Sequence, residues 1–212
     1  MRWHRSYDVE GSTLTQRLAV VQDLLRAALD TAPTGRPIRL VSLCAGRGTD
    51  VIDVLRSHAR AGDLQARLVE LDPDLAARAR SDAAAAGLDG VEVVTGDASH
   101  TDAAAGATPA DVLVACGIFG NVSDDDIHRF VDLAPTLLAP GATVIWTRHR
   151  RPPDLTTDIR AWFAAAVFDE LAFVAPDASG FVGVGAHRLR SDPRPFVPGE
   201  RMFTFVGDGI PT

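Results

Sequence analysis

From residue 38 onward, short apolar runs alternate with stretches of helical spacing, and that alternation restricts the fold more than any other feature of the chain. Ile38–Cys44 reads as a first strand, and a turn at Gly46 and Gly48 leads from it into a helix over Asp50–His58. Arg67–Leu71 reads as a second strand, followed by an alanine-rich helix over Pro73–Gly87 that its glycine ends. Val91–Thr95 and Asp111–Cys116 read as a third and a fourth strand. A helix from about Asp124 to Leu138, a turn at Pro140-Gly141 and a fifth strand over Ala142–Arg148 follow. Leu155–Val167 is a further helix, and Leu171–Ala175 and Phe181–His187 are two last strands. Ahead of all these, Leu14, Leu18, Val21, Leu24, Leu25, Ala28 and Leu29 recur at helical spacing behind a cap at Ser12 or Thr13.

Strands joined through helices run parallel, and strands buried on both faces read as near-continuous apolar runs, as most positions of these do. The last two strands are joined by too few residues for a crossover, so they pair antiparallel. The prediction is an α/β chain, a mostly parallel sheet with helices on both faces.

The formal net charge of −7 argues against general attraction to nucleic acid or to an anionic membrane. Cys44 and Cys116 each sit in an apolar run with no CxxC or Cys/His cluster, which excludes a disulfide framework and argues against a bound metal. No apolar run approaches membrane-span length, and Met1-Arg2-Trp3-His4-Arg5 leads into polar sequence. A cytoplasmic protein, monomeric or homodimeric, is the expectation.

Ligands of doubly wound sheets sit at the carboxyl ends of the central strands, so the residues after each strand carry the chemistry. After the first come Cys44-Ala45-Gly46-Arg47-Gly48-Thr49-Asp50, two glycines that let backbone turn tightly and approach a ligand. After the second come Val69-Glu70-Leu71-Asp72-Pro73: Glu70 can accept hydrogen bonds from both ribose hydroxyls, while Asp72 caps the helix that Pro73 opens. After the third come Gly96-Asp97-Ala98, where Asp97 can accept a hydrogen bond from an adenine amine. Read singly, each has a structural alternative in a tight turn, a cap or an Asp turn.

Together, in order at the ends of three successive strands, these motifs resemble the class I S-adenosylmethionine-dependent methyltransferase family. Pro109-Ala110-Asp111-Val112-Leu113-Val114 is similar to the entry to its fourth strand, and Leu138-Ala139-Pro140-Gly141-Ala142 to the approach to its fifth. The resemblance runs from about residue 36 to residue 187. It implies a Rossmann-like sheet of seven strands, the last inserted antiparallel, and S-adenosylmethionine as cofactor. It also implies cofactor contacts from Cys44, Ala45, Gly46, Gly48, Glu70, Leu71, Asp97, Ala98, Cys116 and Gly117. The chain then divides into an N-terminal segment and helix (1–35), a cofactor-binding core (36–187) and a C-terminal extension (188–212), all one domain. One departure stands out: Cys44 occupies the position where the family usually carries an acid that helps hold the cofactor's amino group. Backbone carbonyls, Asp50 or an N-terminal residue are left for that task.

A sulfonium is already an activated methyl donor, so proximity and orientation of the acceptor do most of the work. The acceptor side falls after the fourth and fifth strands. Phe119 can wall a pocket or be buried, Asn121 can orient a substrate, and His149 has the chemistry of a general base. Arg148 and Arg150 suit a carboxylate or phosphate, which points to a small, anionic acceptor, against the alternative of a solvated basic turn. In the N-terminal segment Trp3, His4 and Tyr7 can fold over the cofactor, Tyr7 as a second catalytic candidate. His187 reads as a structural or surface histidine and not a catalytic one. Two rivals remain. A nicotinamide-dependent oxidoreductase is opposed by Val51 where the third small residue of G-x-G-x-x-G/A belongs. A non-catalytic cofactor-binding module is favoured by Cys44 and opposed by Glu70 and Asp97.

Overall fold

The computed structural model describes residues 13–175 and 181–206. Helix α1 (Thr13–Thr31) precedes β1 (Ile38–Leu43), α2 (Thr49–Leu55), β2 (Leu64–Glu70), α3 (Pro73–Ala85), β3 (Val91–Thr95), β4 (Ala110–Ala115) and α4 (Asp124–Leu133). Then come β5 (Leu138–His149), α5 (Thr156–Ala165), β6 (Phe168–Val174) and β7 (Val182–Leu189). The strands form one sheet in the order β3-β2-β1-β4-β5-β7-β6. The first five are parallel, and β7 pairs antiparallel with β5 on one side and β6 on the other. This is the seven-stranded arrangement expected.

Strand periodicity divides the core. Leu40, Leu68, Val112, Val114 and Ile145 face one layer with residues of α1, α2 and α3. Val41, Leu43, Leu113, Val144 and Trp146 face the other, with α4, α5 and the buried pair Met202 and Phe203. Neighbouring side chains on one strand therefore serve opposite layers, and helices cover both faces.

Boundaries moved where turn-like residues disguised regular structure. β5 begins at Leu138, four residues before the expected start, because Pro140-Gly141 lies within the strand as a bulge that shifts its register against β4. α4 stops at Leu133, since Pro135 converts the run-out into a 3₁₀ turn. β6 starts at Phe168, just after Val167 turns the chain with a φ of 63°. β7 runs two residues past His187, so the sheet reaches into the segment expected to be extension.

Of the two readings of His187, structural or surface, the fold selects the first: it is a core residue, 1% exposed. Its ring stacks on Phe163 with centroids 4.4 Å apart, and its Nδ1 accepts a 3.1 Å hydrogen bond from Trp146 Nε1. Indole nitrogen only donates, so Nε2 carries the His187 proton. Burial pushes the imidazole pKa down to about 4, against a smaller upward pull from Glu170. The unfolded value is about 6.5, so the neutral ring stabilises the fold fully above that pH and ever less as pH falls toward 4. His187→Gln, which keeps an acceptor for Trp146, is expected to flatten the loss of stability across that window. Urea unfolding of both proteins at pH 7, 5.5 and 4.5 measures it: the wild type should lose about 1.4 kcal/mol more per pH unit below 6.5 than the variant.

Candidate active site

β1 has β2 on one side and β4 on the other, so the connections leaving β1 and β4 diverge at their carboxyl ends. A crevice opens at such a switch point, and ligands of doubly wound sheets bind there. An open hollow lined by Thr34, Arg36, Arg60, Asp63 and Gln65 lies at the opposite, amino edge and is not part of this site.

The loop after β1 turns through three positive φ values, Cys44 at 55°, Gly46 at 59° and Gly48 at 72°. Gly48 is doubly constrained: a β-carbon there would lie 2.7 Å from Leu68 and 2.9 Å from Ile52. Gly46 is open, with nothing within 4 Å of its β-carbon position, so its backbone is approachable. Its N–H donates to Glu70 Oε2 at 2.6 Å, and Asp72 N–H donates to Glu70 Oε1 at 2.8 Å. Glu70 is thereby fixed between the two loops, 9% exposed. Each carboxylate oxygen keeps further lone-pair capacity. Ala45 N–H ties the same loop to Val69 O at 2.9 Å. Asp72 caps α3 as expected, its Oδ1 accepting from Asp74 N–H and Leu75 N–H at 2.9 and 3.2 Å.

Beside Glu70, Leu71 is 65% exposed, an apolar side chain standing in solvent at the crevice. Across from it Ala98 is buried and Asp97 accepts a 2.8 Å hydrogen bond from Ser99 N–H. Burial raises the Asp97 pKa, but the Ser99 bonds and the nearby His100 and Arg201 outweigh it and hold the carboxyl below its ordinary range. Cys44 is half-buried, and burial with the neighbouring charges of Glu70 and Asp97 pushes its thiol up to about 12. The structure thus brings Cys44, Glu70 and Asp97 together, and Cys44 is a neutral thiol there.

At the end of β4, Cys116 is buried, its thiol raised first by burial and then by the charge of Asp50. Gly117 takes a φ of 79°, and its N–H donates to Thr147 Oγ1 of β5 at 2.9 Å. Asn121 Nδ2 donates to Gly117 O at 2.8 Å and closes the loop.

A family model described as "Putative methyltransferase" matches residues 9–164. The chain belongs to this methyltransferase family. No curated protein matches its sequence. Among solved structures, magnesium protoporphyrin IX methyltransferase from Synechocystis PCC 6803, solved with bound S-adenosylmethionine, superposes with a TM-score of 0.66 at 13% identity, over 90% of each chain. An RNA methyltransferase from Salinibacter ruber, in complex with S-adenosylhomocysteine, gives 0.55 at 23% identity, over 86% of this chain and 95% of that one. An O-methyltransferase family protein from Burkholderia thailandensis gives 0.59 at 20% identity over 84% of this chain. This chain spans only 56% of the Burkholderia protein's length. The sheet is that of the class I methyltransferase fold.

At the ends of β4 and β5, two expectations change. Phe119 is fully buried, edge-on to Phe130 at 5.2 Å and next to Trp146, so it belongs to the core and walls no pocket. It lies in the turn after β4, its ring packed inward while its carbonyl accepts a hydrogen bond from Arg148 Nη1. Arg148 is itself buried, and Arg150 Nε donates to Asp154 Oδ2 at 3.0 Å. Both arginines expected to grip an anion are engaged within the protein. His149 does face the loop: a β-carbon on Gly120 would lie 3.3 Å from its ring. Its Nδ1 is buried without a hydrogen-bond partner, and burial, then Arg148 and Arg151, lower its pKa, so the imidazole is neutral at physiological pH. Tyr7, with Trp3 and His4, lies outside the described residues.

Residues 194–206 form a cover that no periodicity or motif in the chain announces. Thr101 Oγ1 donates to Val197 O at 2.7 Å, Gly199 N–H to Asp102, Met202 N–H to Ser99 O, and Thr204 N–H to Asp126. Val206 N–H reaches Asn121 O at 3.0 Å. This segment crosses the ends of β3 and β4, next to Asp97 and the Asn121 loop. Among the described residues no helix is long and apolar enough to cross a membrane, and no group of three or more His, Cys, Asp or Glu could hold a metal ion.

Proposed function

We propose that the protein transfers a methyl group from S-adenosylmethionine to a small-molecule acceptor bound beside the loop after β4. The observation that carries this reading is Glu70, fixed by Gly46 and Asp72 amides yet retaining lone pairs for a ribose diol. The remaining residues fit the same group. The open approach over Gly46 suits close backbone contact, exposed Leu71 and buried Ala98 suit the faces of an adenine, and Asp97 suits its exocyclic amine. Cys116 and Gly117 would border the sulfur. The cofactor supplies an electrophilic methyl on a sulfonium.

The chain's own part is positioning. The bond from Gly117 N–H to Thr147 and the bond from Asn121 to Gly117 O hold the loop that an acceptor would meet. His149, neutral and packed on Gly120, would take a proton from an acceptor that carries one. Arg148 and Arg150 are engaged within the protein, so neither is offered to an anionic acceptor. The Salinibacter structure favours a second reading, an RNA acceptor. The net charge of −7 opposes it.

Isothermal calorimetry tests the cofactor half. S-adenosylhomocysteine is expected to bind with micromolar-range affinity and NAD not to bind. Tight NAD binding with no S-adenosylhomocysteine binding would exclude the proposal.

A further inference from the structure

Cys44 stands where an acid would meet the ammonium of the cofactor's methionine end, and its thiol is neutral. The fold presents charges for that end from another direction. α1 buries Arg17, Val21, Leu25, Ala28 and Leu29, a stripe at helical spacing. The apolar members share a core with Val51 and Ile52 of α2, Ile145 of β5 and Cys116 at the end of β4. Gln22 Nε2 donates to Thr49 O at 3.2 Å, which ties the middle of α1 to the carboxyl-edge end of α2. Arg17 lies five residues before Gln22, about 7 Å further toward that edge. It is only 5% exposed. Asp50 sits in the first turn of α2, immediately before buried Val51. Burial raises its pKa, Arg17 is the charge that opposes this most, Cys116 is within hydrogen-bonding reach of it, and Asp53 is the further acid nearby.

Opposite charges brought together in a desolvated place gain little stability, because the loss of hydration cancels most of their attraction. They do form a ready receptor for a zwitterion at the switch point between β1 and β4. We infer that Arg17 and Asp50 hold the amino-acid end of S-adenosylmethionine, Asp50 accepting from the ammonium and Arg17 donating to the carboxylate, in place of the acid that Cys44 replaces. A guanidinium fork matches a carboxylate, and a carboxylate can accept from an ammonium. The inference rests on the cofactor reading above.

Two nucleosides separate the possibilities: S-adenosylhomocysteine, and methylthioadenosine, which keeps the adenosine and thioether but lacks the amino-acid end. Calorimetric titration of the full chain should show Asp50→Asn and Arg17→Gln each weakening S-adenosylhomocysteine at least tenfold. Methylthioadenosine affinity should stay within twofold in both variants, which also shows that they are folded. The double variant should bind the two nucleosides almost equally. Equal weakening of both nucleosides, or no change in either, would overturn the assignment. Failure of the wild-type protein to bind either nucleoside would instead overturn the cofactor reading beneath it.

Discussion

Glu70→Ala is expected to weaken S-adenosylhomocysteine binding by about 10- to 150-fold, the equivalent of 1.5–3 kcal/mol for lost charge-assisted hydrogen bonding. Two effects combine in that loss. The ribose loses its carboxylate, and the amides of Gly46 and Asp72, now joined through Glu70 at 2.6 and 2.8 Å, lose their shared acceptor. The glycine turn is then less well ordered before ligand arrives. Asp72→Ala removes a helix cap two residues away and is expected to cost about 1 kcal/mol of stability with nearly intact affinity. Paired calorimetry and urea unfolding of both variants checks the assignment. If Asp72→Ala loses affinity and Glu70→Ala keeps it, the ribose ligand has been assigned to the wrong carboxylate.

The largest stability effect is expected from Gly185→Ala. Trp146 and Gly185 face each other across the antiparallel β5-β7 pair, and the tryptophan is fully buried. A β-carbon on Gly185 would fall 2.6 Å from the indole nitrogen and closer still to ring carbons. The ring has nowhere to retreat: Phe163 stacks on it at 6.2 Å, Phe173 packs at 6.0 Å and His187 holds its N–H. Overpacking of this kind costs about 3 kcal/mol or more. Gly185→Ala combined with Trp146→Leu should be much less destabilised than the two single changes added together, because the smaller side chain vacates the contested space. Strict additivity of the two changes would show that the clash is not the cause.

The parts of the fold that could be read in advance are those where one residue type has one physical meaning. β1 and β4 are buried at nearly every position and apolar at most of them because both of their faces are covered, and the glycines after β1 are where positive φ is needed. Other parts depended on partners distant in sequence. Pro140-Gly141 has the composition of a turn, and only pairing with β4 makes it a strand bulge. Asp169 and Glu170 look like loop residues, yet they lie on the outermost strand, where acids face water or meet Arg190 and Arg160. In the candidate site, Glu70 and Asp97 were legible because strand ends position them. The fate of Phe119 and Arg148 was not, since each is decided by the packing of α4 and β5 around the loop. The run Arg201-Met202-Phe203-Thr204 carries no periodicity; Met202 and Phe203 are buried where bridges from Arg201 to His100 and from Phe205 to Val122 pin the segment on either side.

The segment that crosses the ends of β3 and β4 has a consequence for the order of events during synthesis. Thr101 and Asp102 wait for partners 96 and 97 residues further along the chain. Until the ribosome has made Met202 and Phe203, the layer holding Phe119 and Phe130 lacks two of its fully buried side chains. Contacts of such separation form slowly, and a nascent sheet with one layer incomplete exposes apolar surface in the meantime. Dependence on chaperones should therefore last until Met202 and Phe203 have packed, after every strand of the sheet has already been made.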